Sequence, residues 1–445
     1  MDSNKLEKIV SWAKRRGFIM QSSEIYGGLS GVYDFGPYGV ALKNNIKRLW
    51  WKTFVDGRDD VVGIESSILM SRKVWQASGH EGGFTDELVE CKKCNQRFKA
   101  DDVTEGKCPK GGEHELTDPK AFNGMFKTFV GVSQDESAQT YLRPETAQGM
   151  FCDFKQVMET SRKKLPFGIA QMGKCFRNEI NTKDFLFRVR EFEIAEIEYF
   201  VKPGDDEAKF EEWKENWKNF VISLGIKEES LVEYEHPKEG LSHYSKRTVD
   251  FQYKFPFGTK ELVGIANRTD FDLKSHAEAS GKDLQYFDPS TDSGQVPEKY
   301  FPYVVEPTCG IDRLILAVIC EAFEELEPRT ETTEAVTEKE IVLHFLPKLA
   351  PVKIAVLPLM KKLSTEARKI YDDLKTCFDG IEFDESGSIG KRYRRQDEIG
   401  TPFCVTLDFD TIEKDQSVTV RDRDSMKQER IKITELKNYF WDKLS

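Results

Sequence analysis

The chain has 445 residues, 39% of them hydrophobic and 32% charged, with 31 glycines and 17 prolines, which excludes collagen-like, low-complexity and wholly disordered classes. A net charge of −11, from 66 basic and 77 acidic residues, argues against indiscriminate coating of nucleic acid. The longest apolar run, Leu314–Cys320, is far below the roughly 18 residues a membrane span needs. Nine irregularly spaced cysteines fit reduced thiols better than a disulfide framework, so a cytoplasmic protein with no membrane partner is expected.

Met1–Arg16 reads as an amphipathic helix rather than a signal peptide, with Leu6, Ile9 and Ala13 inward and Gly17 as its stop. Up to residue 200, aromatic-rich stretches alternate with glycine turns such as Gly27-Gly28 and Gly36–Gly39. Within 85–120 lie Cys91, Cys94 and Cys108, then His114. A zinc ribbon needs two close ligand pairs. The first pair is present and the second is degraded at Gly111, so a zinc site and a ribbon that has lost its metal both stand.

Phe176–Phe200 reads as an antiparallel hairpin: a strand from near Gly168 to Glu179, a polar loop Asn181–Phe185, and a strand Arg188–Phe200. Period-two alternation puts Arg177 and Glu179 on one face of the first strand, and Arg190, Phe192 and Glu196 on one face of the second. Such a surface could hold a phosphate, a stacked base and an amine. It could equally be a cross-strand ladder of ion pairs.

Residues 202–247 are polar and helical in pattern, with Trp213, Trp217, Phe220 and Leu224 at helical spacing. Strands are expected at Val249–Phe257 and Lys260–Ala266, and a loop at Ser275–Glu298. In Tyr303–Arg313 a strand ends at Glu306-Pro307, a turn follows, and Gly310 opens a helix burying Ile311, Leu314, Ile315, Val318 and Ala322. Arg313 falls in the first helical turn, where the dipole repels it unless an anion bridges the two. Glu324–Glu340 reads as a linker. Beyond it come strands Val352–Pro358, Gly380–Phe383, Phe403–Leu407 and Ser417–Asp422, with helices Leu363–Phe378 and Ile433–Leu444, a small α/β domain. Residues 348–445 carry 19 basic and 18 acidic residues, so they stand at +1 and the remainder at −12. Their cluster Lys391–Arg395 is either an RNA contact or a solvated loop.

The hairpin and the strand–helix stretch resemble the second and third signature motifs of class II aminoacyl-tRNA synthetases. Their wording is similar to glycyl-tRNA synthetases of the homodimeric type, as are Gly27–Pro37, the Ser78–His80 turn, Arg143–Gly149 (RPETAQG) and Gly264–Asp270. The resemblance implies an α+β protein: an antiparallel-sheet catalytic domain over 1–340 with a helical insertion at 202–247, then an anticodon-binding domain over 348–445. It implies glycine, ATP with Mg²⁺ and tRNA(Gly) as substrates, and a homodimer. Arg177, Arg313 and Glu179 would be catalytic, the arginines on the α- and γ-phosphates. Asn178, Phe187, Arg188, Val189, Arg190, Glu191, Glu261, Leu262, Ile311 and Asp312 would complete the ATP site, with Phe192 on adenine and Gly310 shared by both substrates. Glu145, Glu196 and Glu306 would surround the glycine ammonium, alongside Glu193, Ile194, Ala195, Pro307, Thr308, Cys309 and Lys99.

There are departures. Thr308-Cys309 stands where the family usually has serine and then an aromatic or small residue, and Lys99 where many members have arginine, without its fork. The first motif, Ile64–Trp75, has Ser71-Arg72 in place of the usual proline. Lys391–Arg395, Arg421 and Arg423 are the expected tRNA contacts. A catalytically silent relative should have lost Arg177 and Arg313; both are present.

Overall fold

The computed structural model describes residues 3–103, 107–109, 115–288, 298–327 and 339–444. In chain order its principal strands are β1 (Val61–Gly63), β2 (Thr85–Glu90), β3 (Arg97–Lys99), β4 (Lys120–Asn123), β5 (Phe167–Phe176), β6 (Glu191–Val201), β7 (Leu231–Glu235), β8 (Arg247–Phe255), β9 (Gly258–Thr269) and β10 (Tyr303–Gly310). Seven form one sheet in the order β7-β8-β9-β10-β6-β5-β1. All neighbours are antiparallel except β1 and β5. Strands β2, β3 and β4 form a separate three-stranded finger.

Alternation along β6 sorts the two faces of this sheet. Ala195, Ile197, Tyr199 and Val201 enter the main core with Trp213 and Trp217 of helix α4 (Asp206–Ser223); α1 (Ser3–Arg15) and α2 (Pro37–Trp51) cover the same side. Phe200 instead packs at 4.4 Å on Phe154 of α3 (Ala147–Ser161), on the opposite side. On that same side, the even-numbered positions Phe192, Ile194 and Glu196 of β6 face the site.

Several elements of the catalytic sheet and its surroundings differ from the sequence expectation. The stretch expected to be helical over 202–247 is helical only as far as Ser223. Its Leu231–Glu235, an alternating β-prone run, pairs in register with β8 as the sheet's edge strand. Strand β10 does not stop at Pro307: Thr308, Cys309 and Gly310 still pair with Glu196, Ala195 and Ile194, so the strand runs straight into α6 (Ile311–Ala322). That helix is buried almost all round, including Leu316, Ala317, Ile319 and Cys320. The expected loop at Ser275–Glu298 begins inside α5 (Phe271–Ser280), and its residues 289–297 lie outside the described residues.

Phe323–Leu326 pairs with Glu340–Leu343 as a two-stranded ribbon; linker residues 328–338 lie outside the described residues. The C-terminal unit is a mixed sheet of β11 (Ile354–Pro358), β12 (Ile381–Phe383), β13 (Phe403–Leu407), β14 (Ser417–Asp422) and β15 (Gln428–Lys432), in the order β12-β11-β13-β14-β15. Its core includes Ile370 and Leu374 of α7 (Ser364–Lys375), and Phe440 of α9 (Leu436–Leu444). The basic cluster Lys391–Arg395 is no loop but the middle of α8 (Ile389–Ile399), ended by Gly400 at φ +79°. The two units touch through the N-terminal helices. Arg16 pairs with Glu398, Trp12 Nε1 donates to Glu398 O at 2.8 Å, and Tyr38 donates to Glu382 at 2.9 Å. No helix among the described residues is long and apolar enough to cross a membrane. The architecture is α+β.

Candidate active site

A cavity of about 420 Å³ opens on the face of the sheet formed by β6, β9 and β10, and the finger closes one side of it. Its lining brings together eighteen of the residues singled out in the sequence: Lys99, Glu145, Arg177, Asn178, Glu179, Phe187, Arg188, Val189, Phe192, Ile194, Glu196, Glu261, Glu306, Thr308, Cys309, Gly310, Asp312 and Arg313. Arg177 follows β5. Its Nε donates to Pro144 O at 3.2 Å, and its guanidinium lies 5.5 Å from the ring centres of both Phe84 and Phe192. Arg313, in the first turn of α6, donates from Nε to Phe187 O at 3.1 Å, lies 4.4 Å from that ring and pairs with Glu261 at 3.0 Å. Two held arginines and an aromatic platform can take a polyphosphate and a planar base.

Across the cavity stand the carboxylates. Glu145 lies in the RPETAQG stretch just before α3. It accepts from Gln148 Nε2 at 2.9 Å and lies 3.3 Å from His80 Nε2. Glu196 on β6 accepts from the backbone N–H of Thr146 at 2.8 Å, from the Thr146 hydroxyl, and from Thr308 Oγ1 at 3.2 Å. Glu306 on β10 accepts from Arg268 Nη1 at 2.7 Å. Arg268 also grips Asp272 with Nε and Nη2 at 2.8 and 2.9 Å, and its guanidinium lies 4.0 Å from the Tyr244 ring. Burial penalises every one of these charges. His80 and Arg268 outweigh it at Glu145, whose carboxyl is held below the ordinary range. At Glu196 burial and the charge of Glu145 push the carboxyl up. Burial also raises Glu179 on the arginine side. Concentrated negative charge with one buried arginine suits a small cation presented by a substrate.

Seven singled-out residues do not line the cavity. Glu193 faces the other side of the sheet, paired with Lys43 at 3.1 Å and with Lys47, while its backbone N–H donates to Asp312 at 2.7 Å. Arg190 precedes β6 and donates to the carbonyls of Ser30 and Glu179 at 2.7 and 3.0 Å, which removes it from the expected face. Glu191 pairs with Lys174 at 2.8 Å. Ala195, Leu262 and Ile311 are core residues, and Pro307 is buried in β10. In the C-terminal unit, Arg392, Arg421 and Arg423 also turn inward. Arg392 donates to Leu359 O and to Pro358 O, Arg421 grips Asp397 at 2.8 and 2.9 Å, and Arg423 donates to Gly400 O and Phe345 O. Lys391 stays exposed; Arg394 and Arg395 are half-buried.

Sequence reasoning passed over Arg268, Tyr244, Asp86 and the hydrogen-bonded set Gln148–Asp272–His276. Arg268 and Gln148 lay inside strings already noticed; Tyr244 had no local signal. Asp86, on β2, pairs with Lys99 at 2.6 Å, so the finger delivers both into the cavity. At the finger's far end the sulfurs of Cys91, Cys94 and Cys108 lie within 4.8 Å of one another, Cys94 and Cys108 at 3.7 Å. His114 lies outside the described residues.

Residues 128–322 match the tRNA synthetase class II core domain (G, H, P, S and T), and residues 353–443 the anticodon binding domain. Among curated proteins, the glycine–tRNA ligase of Clostridium acetobutylicum is 51% identical, with 100% of this chain and 99% of that protein covered. The glycine–tRNA ligases of Acetivibrio thermocellus (53%; 98% and 97% covered) and Thermobifida fusca (50%; 100% and 99%) are similar to the same extent.

Proposed function

This chain belongs to the class II aminoacyl-tRNA synthetases, in the glycine–tRNA ligase family, and on that premise we propose how its own residues carry the two-step reaction. The enzyme activates glycine with ATP and transfers the glycyl group to tRNA. In the first step the glycine carboxylate attacks the α-phosphorus and pyrophosphate leaves. In the second, the terminal ribose hydroxyl of tRNA(Gly) attacks the glycyl carbonyl and AMP leaves. Neither step needs a protein nucleophile, so catalysis is positioning and charge stabilisation.

Arg177 holds the α-phosphate and the glycine carboxylate; Arg313 holds the γ-phosphate. Phe192 supports the adenine. Glu145, Glu196 and Glu306 hold the ammonium, and Thr308 floors the pocket against a larger side chain. The observation that carries this reading is the convergence of Arg177, Arg313 and the three carboxylates on one cavity. Glu179 and Glu261, oxygen donors on the arginine side, fit Mg²⁺ shared with the ATP phosphates. When bound, the ion neutralises phosphate charge. The sulfurs of Cys91, Cys94 and Cys108 fit zinc: at about 2.3 Å from a tetrahedral ion, thiolates lie about 3.8 Å apart, against 3.7 Å for Cys94 and Cys108. Zinc there would brace the finger that carries Asp86 and Lys99.

The catalytic domain spans 1–340. The C-terminal domain, 348–445, binds the tRNA anticodon arm, with Lys391 and Arg394 on its accessible side. The working form is a homodimer through the 64–75 stretch, and the compartment is the cytoplasm, which nine cysteines without a disulfide among the described residues favour. The test is amino-acid-dependent ATP–pyrophosphate exchange across the standard amino acids. Exchange with glycine alone is expected; exchange with another amino acid would overturn the assignment of the ammonium pocket.

A further inference from the structure

One buried carboxyl has no task in the scheme above. Glu198 follows Glu196 by two positions on β6 and shares its face. It is fully buried, and neither carboxyl oxygen has a hydrogen-bond partner among the described residues. The register pairs Glu196 with Thr308 and Tyr199 with Val305, which sets Glu198 directly across from Glu306. Opposed residues on adjacent strands have Cβ atoms only about 4.5–5.5 Å apart.

The surroundings decide which of the two holds a proton. From β5 the register partner is apolar Ile169. From β6 comes Glu196, from β10 Glu306, from β9 Arg268 and from α5 Asp272. The remaining titratable groups of this side, Glu145, His80 and His276, are tied to one another through Gln148. Among the described residues Arg268 is thus the one cation acting on Glu198, and it already serves two carboxylates: two N–H groups go to Asp272 and one to Glu306. A third buried anion would have no charge of its own to balance it. Burial and Glu306 both push Glu198 well above the ordinary carboxyl range. Glu306 is raised as well, to about 8, by burial against the pull of Arg268 at 2.7 Å; of the two it is the one with a cation in hydrogen-bond contact.

We propose that Glu198 is a positioning residue of the glycine subsite: a neutral carboxylic acid opposite Glu306, which leaves Arg268 committed to Glu306 and Glu306 as the group that ionises to take the ammonium. This deepens, and rests on, the assignment of Glu306 to that ammonium. An ionised Glu198 would compete for Arg268 and draw it off Glu306. A missing side chain would let Glu306 turn away from the cavity.

The experiment uses pyrophosphate exchange with the full-length enzyme, reading the KM values of glycine and ATP for Glu198→Ala, Glu198→Gln and Glu306→Gln, with infrared spectra of the wild type and Glu198→Gln. Glu198→Ala should raise the glycine KM roughly tenfold, the scale of one disturbed buried polar contact, and leave the ATP KM in place. Glu198→Gln, neutral and of the same shape, should recover most of that loss. The wild type should show the carbonyl stretch of protonated carboxylic acid at neutral pH, and Glu198→Gln should lose the share of that band due to Glu198, leaving the share due to Glu306. Glutamine as poor as alanine would mean a needed negative charge and overturn the proposal, as would an infrared band unchanged by the substitution. Equal rises in both KM values would reduce Glu198 to packing. If Glu306→Gln leaves the glycine KM unmoved, the ammonium assignment itself fails, while the infrared band still reports the state of Glu198. If the alanine variant does not fold, the glutamine variant and the infrared band decide.

Discussion

Replacing Arg268 with methionine tests the electrostatic frame on which the carboxylate side of the cavity stands. The methionine keeps much of the packing against Tyr244 and Phe151, but it strands Asp272 and Glu306, both buried and both bonded to the guanidinium in the wild type. Removing one partner of a buried ion pair costs about 3–5 kcal/mol, and two carboxylates on one arginine put the expected cost near the upper end. At about 2 °C per kcal/mol for a large domain, Tm should fall by about 6–10 °C at neutral pH.

The pH dependence has a definite sign. A stranded buried carboxyl has a folded pKa raised above its unfolded value of roughly 4. Its favourable contribution is therefore fully present below that unfolded value and is lost as pH rises through the folded one. The variant's deficit should be small near pH 4 and grow as the pH rises, the part due to Glu306 appearing only toward pH 8, where that carboxyl ionises in the wild type. Differential scanning fluorimetry from pH 4 to 8 measures it directly. A Tm within 2 °C of wild type at neutral pH (less than about 1 kcal/mol), or a deficit that grows as the pH falls, would refute the account of Arg268 as the cation compensating Asp272 and Glu306.

Arg177→Ala should reduce adenylate formation by at least about 10²–10³-fold, the scale of losing one preorganised charge donor, with an unchanged melt; near-normal exchange would remove its phosphate role. Thr308→Ala deletes a methyl and the hydroxyl that donates to Glu196, so alanine-dependent exchange should rise relative to glycine by up to about tenfold, the worth of a methylene-sized space; an unchanged ratio would place the steric filter elsewhere. Lys391→Ala with Arg394→Ala should raise the KM for tRNA several-fold and flatten its salt dependence, read by aminoacylation at two ionic strengths; a tRNA KM equal to wild type would move the RNA contact to another face of the C-terminal unit. The purified protein should release close to one zinc per chain on thiol modification, and Cys94→Ser should abolish that release; a metal-free wild type purified without chelator would leave the three sulfurs as a bare thiol cluster.

Much of this protein was legible in its residues alone, because local patterns report local structure. Alternation in Phe176–Phe200 announced a hairpin, and β5 and β6 are that hairpin, paired from Phe176 with Glu191 to Phe167 with Phe200. The spacing of Trp213, Trp217 and Phe220 announced a buried helix face, and all three are buried. The motif strings located Glu145, Arg177, Glu196, Glu306 and Arg313, spread over positions 145 to 313, before any geometry joined them.

What residues in a row could not tell was direction and compensation. Strict alternation should have aligned Arg190 with Phe192, but β6 begins only at Glu191, and Arg190 turns to the carbonyls of Ser30 and Glu179. The arginines of Lys391–Arg395, Arg421 and Arg423 are the expected tRNA contacts, though composition leaves the first cluster also open to a solvated loop; three of them are inward ties of the C-terminal unit, because an arginine's five donors serve buried carbonyls and carboxylates as readily as phosphates. Above all, five acidic side chains from four elements meet around Arg268, and only their meeting makes their charge states interdependent. Sequence determined which chemistry was available at this site. The sheet register, which sets Glu198 across from Glu306, brought those acids close enough for the charge of one to depend on the other.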